Sequence, residues 1–268
     1  DKLKNCLFIG RDRFGEKPFY YSHTNNCFAF ASELKALCQH QYVPEQQNEI
    51  SLIKFLGYGY IPSPLTIIKN CFKLSPGHGG YLNISDMSLN IFEYWRFKIE
   101  PDDLNFTKNN LQKKTEELQH LIENSVKDRI ICDVPFGTFL SGGLDSGIIS
   151  SYAVKNSDKP LISHSIGFDE KSFDESFFSK KLAEFLGTKH HFNKFKITSL
   201  NEKYFNFLKD LDEPFVDASY LPTSLLCEET KKSVKVALSG DGGDELFYGY
   251  DPFDACIISN YIDDFIPK

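Results

Sequence analysis

Two hydrophobic rhythms divide this 268-residue chain. Up to about residue 98, Phe, Tyr and Gly alternate with polar positions around turns such as His23-Thr-Asn-Asn26 and Ser85-Asp-Met-Ser88, which predicts a β-rich region. The polar stretch Lys98-Ile-Glu-Pro-Asp-Asp-Leu-Asn-Phe-Thr-Lys-Asn-Asn110 breaks the alternation and reads as a linker. From Leu111 the spacing changes. Apolar residues at Leu111, Leu118, Leu121, Ile122, Val126 and Ile130 fit one face of a helix. Further on, helices are predicted near 147–156, 174–186, 198–210 and 218–232, and strands near 161–167, 189–193 and 234–238. Helices alternating with short apolar strands predict a parallel sheet covered on both faces, with ligands at the carboxyl ends of its strands. The domain reading is therefore 1–98, a linker over 99–110, and 111–268.

Two glycine-rich turns sit at such strand ends. The first is Leu140-Ser-Gly-Gly-Leu-Asp-Ser146, entered from the β-prone Val134–Leu140 and left through Gly147–Val154, which can open a helix. Gly142 and Gly143 lack a Cβ, so the backbone can turn sharply and aim its N–H groups at an anion, helped by the positive end of the following helix. The turn has neither Gly-Lys-Ser/Thr nor G-x-G-x-x-G. A helix cap is the plainer alternative for Asp145.

The second turn, Ser239-Gly-Asp-Gly-Gly-Asp-Glu245, follows Val234–Leu238. Carboxylates at Asp241, Asp244 and Glu245 repel one another unless a cation sits among them, which suggests Mg²⁺ or a cationic side chain. A solvated acidic loop is the alternative. The apolar run Leu246–Tyr250 is expected to tie this turn to a packed segment.

Composition narrows the classes. With 41% hydrophobic and 25% charged residues the chain can bury one or two cores, and its net charge of −7 opposes a nucleic-acid surface. No stretch reaches the eighteen or more apolar residues of a membrane span, and no signal peptide is read. Seven cysteines, with no Cys-x-x-Cys, suggest neither a disulfide framework nor a zinc site, so a reducing cytoplasm is expected. Cys6 is expected to pack as a small hydrophobe, and His190 and His191 to serve local hydrogen bonding.

Ser141–Ser146 resembles the signature of the PP-loop ATP pyrophosphatases. Together with Ser163-His-Ser-Ile-Gly-Phe168, Asp174-Glu-Ser176, Leu186-Gly-Thr-Lys-His-His191, the tract Asp212–Thr223 and Ser239–Glu245, it is similar to the glutamine-dependent asparagine synthetase family, in the same order. Ile9–Tyr21 and Phe30–Leu37 resemble the end of that family's glutaminase domain, while Tyr58–Pro64 and Lys73–His78 look like the crossing between domains.

The resemblance implies a β-rich remnant of an Ntn-hydrolase glutaminase domain followed by a parallel-sheet α/β PP-loop domain. It implies ATP and Mg²⁺, with aspartate as acceptor and glutamine or ammonia as nitrogen donor, and it is compatible with a homodimer. Ser141, Gly142, Gly143, Asp145 and Ser146 match phosphate-binding positions. Leu140 and Ile166 match positions framing adenine, and Ser239 and Gly240 those beside the nucleotide. Asp145 and Asp244 match metal ligands, and Asp241 an acid near the acyl-adenylate that could orient or deprotonate ammonia.

The sequence also departs from the family. It begins with Asp1 where the family's glutaminase uses an N-terminal cysteine, so glutamine hydrolysis is not expected of this stretch, and Lys268, outside the context of the family's phosphate-contacting lysine, is not assigned that role. Gly147 replaces a common second serine, which predicts weaker ATP affinity. The remaining readings are a relative acting on another carboxylate or sugar acceptor, and a silent nucleotide-binding module.

Overall fold

The computed structural model describes residues 1–24, 26–43, 45–100, 107–169, 174–196, 205 and 207–262. The chain forms two compact units, Asp1–Asp103 with Phe205–Ala218, and Leu104–Tyr204 with Ser219–Lys268.

The first unit holds two antiparallel three-stranded sheets. One is ordered β1 (Cys6–Gly10), β5 (His78–Asn83), β6 (Leu89–Glu93); the other is β3 (Cys27–Ala31), β2 (Tyr20–Thr24), β4 (Cys71–Lys73). Ile9, Tyr21 and Leu74 form a buried cluster with Phe19, Phe28 and Phe72 around it. A second cluster joins Leu34 and Leu37 of α1 (Leu34–Leu37) to Val43 and Cys71. Helix α2 (Glu49–Tyr58) starts where the Asn48 side chain accepts from Ser51 N and stops at Gly59, whose φ of 77° needs no Cβ.

Segment Phe205–Ala218 belongs to this unit although it follows three strands of the second sheet. Asp212 accepts from Leu34 N at 2.6 Å, supplying the first turn of α1 with an acceptor that its own N-cap, Glu33, does not give. Glu213 accepts from Ile67 N at 2.7 Å and pairs with Lys73 Nζ at 2.5 Å, and Val216 N reaches Gly59 O. The side chains of Lys73 and Glu213 are only 17% and 11% exposed. Removing one partner leaves a half-buried charge unpaired. Glu213→Ala is therefore expected to destabilise the first unit by about 2–3 kcal/mol, and Lys73→Met with Glu213→Leu together by much less, as read by denaturant melts.

The second unit is built on a four-stranded sheet in the order β10 (Val236–Leu238), β7 (Phe136–Phe139), β8 (Ile162–Phe168), β9 (Lys189–Phe195), all parallel. Helices α3 (Lys108–Arg129), α4 (Leu144–Lys155), α5 (Ser176–Leu186) and α6 (Tyr220–Thr230) alternate with the strands, and α7 (Gly243–Phe247) and α8 (Asp251–Ile262) follow β10. The expected mixed α/β architecture with a parallel sheet is present. After β9 the chain returns to pair β10 on the far side of β7. The order thus reverses at β7, and the crevice beyond the carboxyl ends of β7 and β10 is where such sheets bind ligands.

Two expected features differ. The predicted face of α3 packs only at its end: Val126 is 2% exposed and meets Ala153 and Leu161, whereas Leu111, Leu118 and Leu121 are exposed. A 22-residue helix is about 33 Å long, against about 13 Å for the four-residue β7, so most of α3 outruns the layer it covers. Leu246, Phe247, Tyr248 and Tyr250 join none of the buried clusters among the described residues, although Tyr248 and Tyr250 meet the Phe253 ring of α8, at 4.9 and 6.0 Å between centroids. They are 45–59% exposed, because α7 is a single short turn ending at Tyr248 in the left-handed region. Of the predicted helix 198–210, residues 198–204 and 206 lie outside the described residues, as do 101–106 of the linker and Lys268; 207–210 are helical, and α3 takes up the linker's last three residues.

Between β8 and β9 the interior is polar. His190 contacts Ser163 Oγ at 2.8 Å and Ser165 Oγ at 3.0 Å; His164 contacts Ser233 Oγ at 2.6 Å and stacks on His191 with centroids 5.0 Å apart. Burial first, then the neighbouring His191 and His190, lowers the His164 pKa from 6.5 to about 4, and burial also lowers that of His190. A depressed pKa means the folded state takes up fewer protons than the unfolded chain. The stability this confers is whole above pH 6.5 and is lost as pH falls toward 4. Between pH 7 and pH 5 the His164 contribution alone is expected to cost about 2 kcal/mol of unfolding free energy, and His164→Gln should flatten the profile in equilibrium denaturation at the two pH values.

Candidate nucleotide site

The first glycine turn leaves β7 at Leu140, which is 1% exposed and donates its N–H to His164 O at 2.9 Å. The turn is then closed on itself. Ser141 Oγ and Ser146 Oγ are 2.9 Å apart, Ser141 N donates to Ser146 Oγ at 3.3 Å, and Gly143 N donates to Ser141 Oγ at 3.2 Å. These donors are gathered at the N-terminus of α4, so an anion there has hydroxyls and an amide to exchange for contacts already made. Gly143 is the N-cap of α4, and Asp145 lies inside the first turn. The capping alternative for Asp145 is thereby removed.

Gly142 departs from expectation. Its φ is +97°, and a Cβ would stand 2.7 Å from Phe178 Cβ and 2.8 Å from Ser179 N, so this residue faces α5 and does not line the cavity. Gly147 also faces α5: a Cβ there would lie 3.0 Å from Leu182 Cδ2. A serine hydroxyl at 147 is thus aimed away from the lining residues, and Gly147→Ser is expected to change ATP affinity less than about twofold in a binding titration.

The second turn packs directly on the first. A Cβ on Gly240 would meet Ser146 N at 2.7 Å, and one on Gly243 would meet Asp145 Cγ at 2.7 Å. Only glycine allows this approach. The three acids of the turn diverge. Asp241 and Asp244 both line the cavity, Asp241 also accepting from Ser239 Oγ at 2.9 Å, whereas Glu245 accepts from Tyr250 Oη at 2.8 Å, a bond that raises the Tyr250 pKa to about 12.

Together the turns enclose a cavity of about 380 Å³. From the sequence-predicted set it brings together Leu140, Ser141, Gly143, Asp145, Ser146, Ile166, Ser239, Gly240, Asp241 and Asp244. Residues not anticipated also line it: Phe139, His164, Ser165 and Phe168 from β7 and β8, Glu175 before α5, and Pro222, Thr223 and Leu226 from α6. Strand alternation from Ile166 would have found His164 and Phe168. The wall contributes four carboxylates, and no lysine or arginine lines it among the described residues.

No group of three or more metal-ligating side chains occurs among the described residues. Asp145 and Asp244 alone suit Mg²⁺, which is commonly held by one or two carboxylates while waters and substrate phosphates complete its shell. No helix among the described residues is long and apolar enough to cross a membrane.

Comparison with known proteins gives two family matches: residues 117–262 match the asparagine synthase family and residues 1–95 a glutamine amidotransferase domain. The chain is 36% identical, over its whole length, to the putative glutamine-hydrolyzing asparagine synthetase 2 of Methanocaldococcus jannaschii, and covers 51% of that protein. It is 34% identical over 93% of its length to the glutamine-hydrolyzing asparagine synthetase 3 of Bacillus subtilis, covering 42% of it. The chain thus spans about half the length of these relatives. A solved NMN synthetase from Francisella tularensis overlays on 50% of this chain and 58% of its own, at 19% identity and a TM-score of 0.36, too partial an overlay to add to the argument.

Proposed function

The chain belongs to the asparagine synthase family, and on that premise we propose that the intact protein activates the side-chain carboxylate of aspartate with ATP and transfers ammonia derived from glutamine to it. The observation that carries this reading is the meeting of the Ser141–Ser146 and Ser239–Asp244 turns around one cavity.

A carboxylate oxygen of aspartate attacks the α-phosphorus of ATP and pyrophosphate leaves with its electron pair. Ammonia then adds to the acyl carbon, loses a proton, and AMP departs. The first step converts a poor leaving group into a good one. Ser141, Gly143 and Ser146 donate hydrogen bonds to the departing pyrophosphate, where charge grows. Leu140 and Ile166 hold the base, and Ser239 and Gly240 lie beside the nucleotide. Asp145 and Asp244 would hold Mg²⁺, which supplies charge neutralisation on the phosphates. Asp241, already turned by its bond to Ser239 Oγ, orients the ammonia and accepts its proton. The stretch 1–98 is the closing part of the glutaminase domain, and 111–262 carries the ATP chemistry.

The test is ATP–pyrophosphate exchange by the full-length protein. Exchange that requires aspartate supports the reading; exchange only with another carboxylate moves the protein to a related amidation, and ATP binding without any exchange makes it a silent nucleotide module.

A further inference from the structure

We propose that His164 is the side chain through which the cavity answers the charge of a bound polyphosphate: it takes up a proton as the anion enters and donates from Nδ1 to a phosphate oxygen. This rests on the reading of the cavity as a phosphate site given above.

The charge of the wall calls for such a group. Four carboxylates line it and no lysine or arginine does among the described residues, so His164 is the one lining side chain there that can become a cation. Its place suits an anion gathered by the first turn. His164 pairs with Phe139 across β7 and β8, and its carbonyl accepts from Leu140 N, one residue before Ser141. His164, Ile166 and Phe168 share one face of β8, and all three line the cavity.

The hydrogen bonds around the ring can accommodate the proton. Nε2 meets Ser233 Oγ at 2.6 Å, and the Ser233 hydroxyl has Thr230 O at 3.3 Å to donate to, so Ser233 can accept from Nε2–H. Nδ1 has no partner among the described contacts. A charged imidazole donates from both nitrogens, which leaves the second N–H for the ligand.

Few charges act on the ring. His191, stacked with centroids 5.0 Å apart, and His190, both on β9, oppose a positive charge, while Glu229 on α6 favours one. The four carboxylates of the wall are not among them. Burial, then the two histidines, holds the pKa at about 4, so the ring is neutral at pH 7. A phosphate charge about 5 Å away, at an effective dielectric of about 20, strengthens proton binding by about a hundredfold. By linkage, entry of the anion then takes up a proton and falling pH tightens its binding.

The test uses the full-length protein with inorganic pyrophosphate at fixed Mg²⁺, titrated calorimetrically at pH 6 in two buffers of different ionisation enthalpy. Pyrophosphate titrates too, so the reading is the difference between the unaltered protein and His164→Gln. The unaltered protein is expected to take up about half a proton more per pyrophosphate bound. Its affinity should also rise about fourfold more than that of His164→Gln between pH 7.5 and pH 5.5. In protein labelled with ¹⁵N-histidine, the His164 ring nitrogens should move toward imidazolium shifts on saturation, a signature that does not depend on how well the variant folds. Equal proton uptake by the two proteins, or a His164 ring that keeps its neutral shifts at saturation, overturns the proposal. Failure of the unaltered protein to bind either pyrophosphate or ATP overturns the phosphate reading itself, which is a different result.

Discussion

Asp145→Asn in the full-length protein is expected to lower aspartate-dependent ATP–pyrophosphate exchange by about 10²–10³-fold while leaving the fold nearly intact. Asp145 is not the cap of α4, so the helix does not depend on its carboxylate for a hydrogen bond. Its charge favours the positive helix end by only about 0.5 kcal/mol. Yet the carboxylate lies in the cavity wall against the backbone of Gly243, one residue before Asp244. Loss of that charge removes half of the pair proposed to hold the divalent cation. Exchange assays across a Mg²⁺ titration, run beside thermal melts, separate the two effects. Exchange within threefold of the unaltered protein would show that Asp145 holds no cation that matters to the chemistry.

Gly142→Ala is expected to destabilise the second unit by about 3 kcal/mol. Two costs combine. A φ of +97° is unfavourable for any residue with a Cβ, and that atom would overlap Phe178 Cβ and the backbone nitrogen of Ser179, neither of which can swing aside. Gly187 provides the comparison, since its φ is +66° and nothing lies within 4 Å of a Cβ there. Gly187→Ala should therefore cost only about 1 kcal/mol. Urea denaturation of both variants gives the answer, and equal losses would mean that overlap with α5 contributes nothing.

Much of this organisation could be read from the chain because local chemistry and tertiary placement agree. The alternation of short apolar runs with helical stretches gives the parallel sheet, and a glycine-rich sequence after β7 and after β10 can only be a tight turn. What escaped depends on partners distant in sequence. Which glycine of the first turn lines the cavity and which faces α5 is decided by Phe178 and Ser179, more than thirty residues on. Asp212 caps a helix 178 positions earlier, and no periodicity encodes such a bond. The Leu111, Leu118 and Leu121 positions obey the helical spacing yet stay exposed, because period reports a face and not what covers it. Asp174 accepts from Ser176 N and pairs with Lys194 of β9, and the ion pair, twenty positions apart, leaves no mark in the local sequence.

The late arrival of β10 has a consequence for synthesis on the ribosome. Phe136 to Phe195 hold three adjacent strands and the first glycine turn, but the second turn follows three residues, Val236–Leu238, translated about forty codons later. A nascent chain stalled between these points would own three strands and the first glycine turn without the second turn that packs on it.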